Sequence, residues 1–192
     1  MNKKLAKLIR VLTTAPIFAI LLCSLLYALL PDAFASVGHY LAALGFLAGL
    51  PLLAYPISYA VPSIRKKGRD GQRNLAVVFS VVGYVAGFLF TMLCGGTATE
   101  KVLFGTYLIS GIGIALCTLL HFKASGHACG CSGPIAMLAA FASPWFLIGY
   151  LLLTPIIWSS KKLGRHSGSQ LFAGALIPVL AMFLCRIVFI PM

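Results

Sequence analysis

The chain has 192 residues, of which 60% are hydrophobic and 9% charged, with a mean hydropathy of +1.01; a soluble domain carries about 25% charged residues, so this composition excludes one. The formal charge of +12 comes from 15 Lys and Arg against only Asp32, Asp70 and Glu100. In a sequence this apolar that excess excludes nucleic acid as the partner and points to anionic lipid headgroups, phosphate ligands and topology signals. The expectation is an all-α polytopic transmembrane helical bundle, with residues 1–192 forming a single integral membrane domain.

In chain order, Lys3, Lys4, Lys7 and Arg10 precede an apolar run from Val11 to Leu30. That run is long enough for a full span of ~20 residues and longer than a signal-peptide core, which predicts a retained first span over 11–30. A second span follows over 36–61, with Pro51 and Pro56 as expected kinks and His39 near its start as an interfacial, hydrogen-bonded histidine. Residues 65–73 then place five cations within nine positions, the pattern of a positive-inside loop. A third span is predicted from Asn74 to Leu93, a short link over 97–101, and a fourth span from Val102 to Leu120. Residues 128–158 are apolar apart from a break at Ala142-Ser143-Pro144; they are too long for one span and short for two, and Ser-Pro is a natural turn, which predicts a short helical hairpin. The polar stretch 159–170 follows, and a last span over Leu171–Ile190, with Arg186 snorkelling to the interface. The count is about six to seven membrane helices. The six cysteines lie mostly within apolar segments and read as small buried hydrophobes rather than a disulfide framework.

Between the fourth span and the hairpin stands Lys123-Ala124-Ser125-Gly126-His127. A cation, a hydroxyl and an imidazole at the edge of a bilayer are costly there, and such groups default to a functional hypothesis. Counting crossings puts this pentapeptide, the 65–73 loop, the 159–170 stretch and the N-terminus on one face, together with 13 of the 15 cations. The positive-inside rule makes that face cytoplasmic, in a plasma membrane of bacterial type.

Phosphoryl transfer needs positive charge around a phosphate, an in-line nucleophile and a proton donor for the leaving group. Lys66, Arg73, Lys123, Lys162 and Arg165 can supply the charge, with Arg suited to bidentate contacts and Lys acting as a point charge. His127 and His166 each start a helix, whose unsatisfied N–H groups favour an anion. An imidazole can attack phosphorus to give a phospho-histidine.

Three stretches together resemble the membrane-bound type 2 phosphatidic acid phosphatase superfamily, in a divergent form. Its first motif is Lys, six residues, Arg, Pro; here Lys66 and Arg73 keep the spacing and Asn74 follows. Its second is Pro-Ser-Gly-His; here Ser125-Gly126-His127 matches, Ala124 replaces the proline and Lys123 precedes. Its third is Ser-Arg, five residues, His, three residues, Asp; here Ser159, His166 and Gln170 fall at the corresponding places, with Ser160 for the arginine and Gln170 for the aspartate. The resemblance covers roughly 60–190. It implies His166 as nucleophile, His127 as general acid, and Lys66, Arg73, Lys123, Ser125, Gly126, Lys162 and Arg165 around the phosphate. Gln170 lies one turn beyond His166, where its amide oxygen is expected to take the Nδ1 proton and fix the tautomer. The implied activity is hydrolysis of an amphiphilic phosphate ester or diphosphate such as phosphatidic acid, phosphatidylglycerol phosphate or a polyprenyl phosphate.

No cofactor and no metal is expected for this chemistry, since an oxygen-ligand site needs paired acidic residues. Two other readings stay open: a non-catalytic lipid-phosphate binding protein or transporter, and a metal-binding membrane protein using His127-Ala128-Cys129-Gly130-Cys131, joined by His121, Cys117 and His166.

Overall fold

A computed structural model describes residues 3–190, with the side chains of Arg69, Asp70 and Arg73 outside the described residues. Every regular element among the described residues is helical: α1 (Lys3–Leu12), α2 (Ala15–Leu29), α3 (Val37–Leu44), a π-helical turn (Gly45–Gly49), α4 (Leu50–Ala60), α5 (Pro62–Lys66), α6 (Gly68–Leu93), α7 (Ala98–Leu119), α8 (Gly126–Phe141), a 3₁₀ segment (Pro144–Leu152), α9 (Leu153–Lys162) and α10 (Gly168–Phe189).

Among the described residues, four helical stretches are long and apolar enough to cross a membrane: Val37–Ala60, Asn74–Leu93, Ala98–Leu119 and Gly168–Phe189. They coincide with the expected spans at 36–61, 74–93, 102–120 and 171–190. Their outward side chains are apolar, such as Val78, Val82 and Leu89 on α6 and Leu180, Phe183 and Ile187 on α10. Such an exterior is compatible with lipid as the surrounding solvent.

The expected first span takes a different form. Val11 and Leu12 belong to α1, and the helix restarts at Ala15 with a bend of 43° between α1 and α2. Pro16 is the cause: its ring clashes with the carbonyl four residues back, which is Leu12, where α1 stops. Counted as one bent span, α1 and α2 raise the number of candidate crossings from four to five. The six to seven expected membrane helices are therefore not reached by length and apolarity among the described residues. The break expected near 142–144 is present, with Ser143 capping the 3₁₀ segment through Trp145 N, but α8 and α9 on either side each fall short of a span-length helix. In the second span the helix does not break at Pro51 or Pro56. A π-helical turn lies just ahead of Pro51.

Helix directions follow from the close approaches. Gly87 meets Phe104, and Tyr84 packs on Tyr107, so α6 and α7 are antiparallel. Gly105 meets Cys185 and Gly113 meets Ile177, so α7 and α10 are antiparallel too. Ser125 pairs with Gln170, and Ser132 Oγ donates to the Ala175 carbonyl at 2.7 Å, so α8 and α10 run parallel. Small residues at these contacts let backbones approach, the usual means of packing helices in lipid. The 16-residue α8 is the most enclosed element, packed against α2, α10, α9 and the 3₁₀ segment. Its buried residues run from Ala128 to Leu138 with few gaps, so it forms the centre of the bundle.

The ends of the bundle differ in chemistry. At one end Glu100, 1% exposed, accepts from His39 Nδ1 at 2.7 Å, from Ala35 N at 2.6 Å and from Thr91 Oγ1 at 3.1 Å. One carboxylate thereby ties the α2–α3 link, the end of α6 and the start of α7. Arg186 lies at this end as well; its Nη1 donates to the Ala140 carbonyl at 3.1 Å and its guanidinium sits 5.6 Å from the Phe141 ring centroid. It closes the C-terminal end of α8 and stays exposed there. All six cysteines are free thiols.

Candidate functional site

The other end is built from two similar units, α7 into α8 and α9 into α10. Helix α7 closes with a Schellman motif: Phe122 N donates to the Cys117 carbonyl at 2.8 Å and His121 N to the Thr118 carbonyl at 3.1 Å. His121 takes the left-handed conformation at φ 59° that this motif requires, at a cost that a non-glycine residue bears. Helix α9 closes the same way, with Arg165 N on the Ser160 carbonyl at 2.9 Å, Gly164 N on the Lys161 carbonyl at 3.0 Å, and Gly164 at φ 60°. Each turn feeds a short link into a serine N-cap. Ser125 Oγ accepts from Ala128 N at 3.3 Å, and Ser167 Oγ accepts from Gln170 N at 3.3 Å.

The two links are then joined. Ser125 N donates to the Gln170 carbonyl at 2.9 Å. Gly174, one turn further along α10, lies so close under this link that a Cβ there would run into the Ser125 main chain. His166 Nδ1 lies 3.1 Å from the Lys123 carbonyl oxygen. Residues 123–127 and 166–170, some 40 positions apart in sequence, thus share one site at the N-terminal ends of two parallel helices. Gly126 and Gly168, the first residues of α8 and α10, have open space where a side chain would stand. Both N-terminal turns are therefore open to an anion, which their N–H groups and helix dipoles favour.

The partners fix the tautomers. A carbonyl oxygen only accepts, so the His166 nitrogen facing Lys123 O carries a proton, and in the neutral ring Nε2 is the basic nitrogen. His127 is held the other way round. Its Nε2 lies 3.1 Å from the Arg10 carbonyl oxygen, so Nε2 carries the proton and Nδ1 is the basic nitrogen of the neutral ring. Both rings are half-buried.

The expected role of Gln170 differs from what its contacts allow. Its Oε1 accepts from Ser167 N at 3.1 Å, completing a capping box with Ser167, and it does not take the Nδ1 proton of His166. The main-chain carbonyl of Lys123 orients His166 in its place. Lys123, Lys162 and Arg165 are exposed around the site, and Ser125 is fully buried as the N-cap of α8. Lys66 is exposed in the last turn of α5. It lies at this same end, because α6 starts where α7 finishes, but no contact joins it to either histidine. The Arg73 side chain lies outside the described residues.

One residue near the site had no functional expectation from the sequence. Arg10, in the last turn of α1, donates from Nη1 to Ser160 Oγ at 3.1 Å while its carbonyl holds His127. Its place among four N-terminal cations reads as a topology signal, and nothing in spacing links it to residue 160. Ser159 is buried and donates to the Ile156 carbonyl at 3.0 Å.

The residues of the Cys-x-Cys reading diverge. Positions 127, 129 and 131 lie on one helix, where i and i+2 point to different sides. Cys131 is buried in an apolar cluster with Phe18, Ile135 and Ile156. Among the described residues no three His, Cys, Asp or Glu side chains come together in a group that could hold a metal ion. The chain matches no family model, no curated protein and no solved structure.

Proposed function

We propose that the chain is a lipid phosphate phosphatase working through a phospho-histidine on His166. The observation that carries this reading is the joining of the 123–127 and 166–170 links, with His166 Nδ1 engaged by the Lys123 carbonyl and two helix N-termini open beside it. In the reaction the His166 Nε2 lone pair attacks phosphorus and the bond from phosphorus to the leaving oxygen breaks. The leaving oxygen takes a proton from Nδ1 of a protonated His127, whose Nε2–H stays on Arg10 O. Water then attacks the phosphorus of phospho-His166, His127 Nδ1 takes back a proton from that water, and phosphate leaves with His166 restored. Lys123, Lys162, Arg165, Lys66 and Arg73 supply positive charge, and the N-terminal amides of α8, including Gly126, supply oriented dipoles. Ser125 holds that turn in shape.

A lipid substrate suits this arrangement because the site stands at the end of a bundle whose flanks are apolar, within lateral reach of a headgroup. In this reading the chain crosses six to seven times, with α8 and the 144–162 segment as two short crossings, and the site and N-terminus are cytoplasmic. Phosphate release by purified protein from phosphatidic acid, phosphatidylglycerol phosphate and polyprenyl phosphates is the direct test. Release from at least one of them is expected; folded protein that releases none ends the enzyme reading. Impermeant thiol labelling tests the orientation. Cys94, exposed at the far end, should label from outside intact cells, and a cysteine at Lys67 in a background lacking the native thiols should not.

A further inference from the structure

We propose that α1 is a docking helix for an anionic lipid bilayer, with Lys3 and Lys7 on the headgroups and Leu5, Leu8 and Leu12 in the edge of the hydrocarbon. The proposal rests on the membrane reading above and is independent of hydrolysis. At 3.6 residues per turn the ten residues of α1 sort into three faces. Ala6 is buried, and Ile9 and Arg10 are half-buried, where α1 packs on α9. Leu5, Leu8 and Leu12 stand at i, i+3 and i+7 on a second face and are 44%, 53% and 57% exposed. Lys3 and Lys7, one turn apart, form a third face and are exposed as well. Lys4 and Arg10 are engaged within the protein, so Lys3 and Lys7 are the cations this surface offers.

The place of α1 in the chain fits this partner. The helix after it, α2, has 15 residues and is about 22 Å long at 1.5 Å per residue, short of the ~30 Å hydrocarbon core. A crossing that begins at the far end of α2 therefore reaches the hydrocarbon boundary within α1, beyond the 43° bend. Leu12 lies on the α2 side of that helix, and Lys3 lies at its outer end. An exposed leucine stripe is unfavourable in water and favourable against acyl chains, while a lysine beside it extends its ammonium to the headgroups. No acidic residue stands on α1, so an anionic surface meets no like charge there. Each lysine near such a surface strengthens the attachment, and neutral lipid gains nothing from that charge. The docked helix is continuous with the candidate site, because the Arg10 carbonyl in its last turn accepts from His127 Nε2 at 3.1 Å. Docking of α1 thereby holds in place the group that fixes the His127 tautomer.

The test uses the full-length protein in nanodiscs of phosphatidylcholine alone or mixed with phosphatidylserine, whose phosphate is a diester and no substrate for the proposed reaction. Amide hydrogen exchange across residues 3–12 reports the docking of α1, and thermal unfolding reports the fold. Exchange should be about 10- to 30-fold slower with phosphatidylserine, the worth of two lysines at an anionic surface, and the difference should shrink at high salt. Lys3→Gln/Lys7→Gln should abolish most of that difference at unchanged Tm. Leu8→Ser/Leu12→Ser should speed exchange in both lipids. Equal exchange of the parent α1 in the two lipids overturns the proposal, as does a phosphatidylserine effect that survives intact in Lys3→Gln/Lys7→Gln. Unchanged exchange in the leucine variant means that α9 alone holds α1, and overturns it too. If the leucine variant fails to fold, the lysine variant and the salt series carry the test. No readout uses turnover, so a protein that hydrolyses nothing ends the phosphatase reading and still decides this proposal by exchange alone.

Discussion

Histidines stand at both ends of this bundle and are held in opposite ways. His39 is 13% exposed and locked on the Glu100 carboxylate, which also takes Ala35 N and Thr91 Oγ1. Its environment is closed, and each partner joins two elements of the fold. His127 and His166 hang instead on the main-chain carbonyls of Arg10 and Lys123, beside exposed cations and two open helix N-termini. A carboxylate fastens a ring in place. A carbonyl orients a ring and sets its tautomer. Residue type is the same at both ends, and under the proposed function the partner separates a staple from a reactive group.

The sharpest way to break this comparison is to remove one ring from each end. His166→Ala should lower kcat on the best lipid phosphate by at least about a thousandfold, roughly 4 kcal/mol of barrier, with Tm unchanged. Parent-like turnover in that variant would remove His166 from the chemistry. Glu100→Ala should do the reverse. It leaves His39, Ala35 N and Thr91 Oγ1 without their buried acceptor, and breaking such a pair costs about 3–5 kcal/mol. Thermal unfolding should register that loss, while kcat per folded molecule holds, because the site lies about 28 Å away along α7 at 1.5 Å per residue. A large fall in kcat at unchanged stability would mean that the two ends communicate.

The comparison sharpens further at His127, whose role depends on the leaving group. His127→Ala should slow hydrolysis of a lipid alkyl phosphate about 10²–10⁴-fold, the usual worth of general acid catalysis. A nitrophenyl phosphate has a weakly basic leaving oxygen and should lose far less in the same variant. Equal losses on both substrates would make His127 a phosphate ligand or a positioning residue and not the acid.

Much of the fold is legible in the sequence because lipid imposes one rule on long segments. The spans at 37–60, 74–93, 98–119 and 168–189 follow from run length and hydropathy alone. The departure at the N-terminus was legible in part. Pro16 sits four residues beyond Leu12 and marks where a helix starting in the basic segment must stop, but an apolar run over 11–30 conceals that boundary. The site is legible only as far as local spacing reaches. Ser125 and Ser167 are helix N-caps of ordinary type, and Ser167-Gly168-Ser169-Gln170 carries the S-x-x-Q signature of a capping box. The His39–Glu100 pair is separated by 61 residues and the Arg10–Ser160 contact by 150. Contacts of that range are decided by how helices pack, and no periodicity encodes them. Thr97-Ala98-Thr99-Glu100 has the form of a capping box, and Thr97 does cap α7. The Glu100 side chain leaves that local role to serve a distant histidine.

The smallest expected effects are at Gln170, where two explanations of one residue part company. If Gln170 acted on the His166 ring, Gln170→Asp would place a carboxylate in the orienting position and change the rate strongly. The observed partner is Ser167 N at 3.1 Å, and Lys123 O already holds Nδ1. Gln170→Ala should therefore cost about 1 kcal/mol of stability, the scale of a lost cap, and alter kcat less than tenfold. Gln170→Glu keeps the length needed to reach Ser167 N and places a negative charge in the first turn of α10, which the helix dipole favours. Its stability should match or slightly exceed that of the parent. The same charge stands beside the proposed phosphate site, so KM for lipid phosphate should rise severalfold, more at low ionic strength than at high. Gln170→Asp is one methylene shorter; it should lose part of the cap and show the same rise in KM. A rate change above tenfold in Gln170→Ala, with the cap loss confirmed by Tm, would show that the amide turns from Ser167 to His166 during turnover.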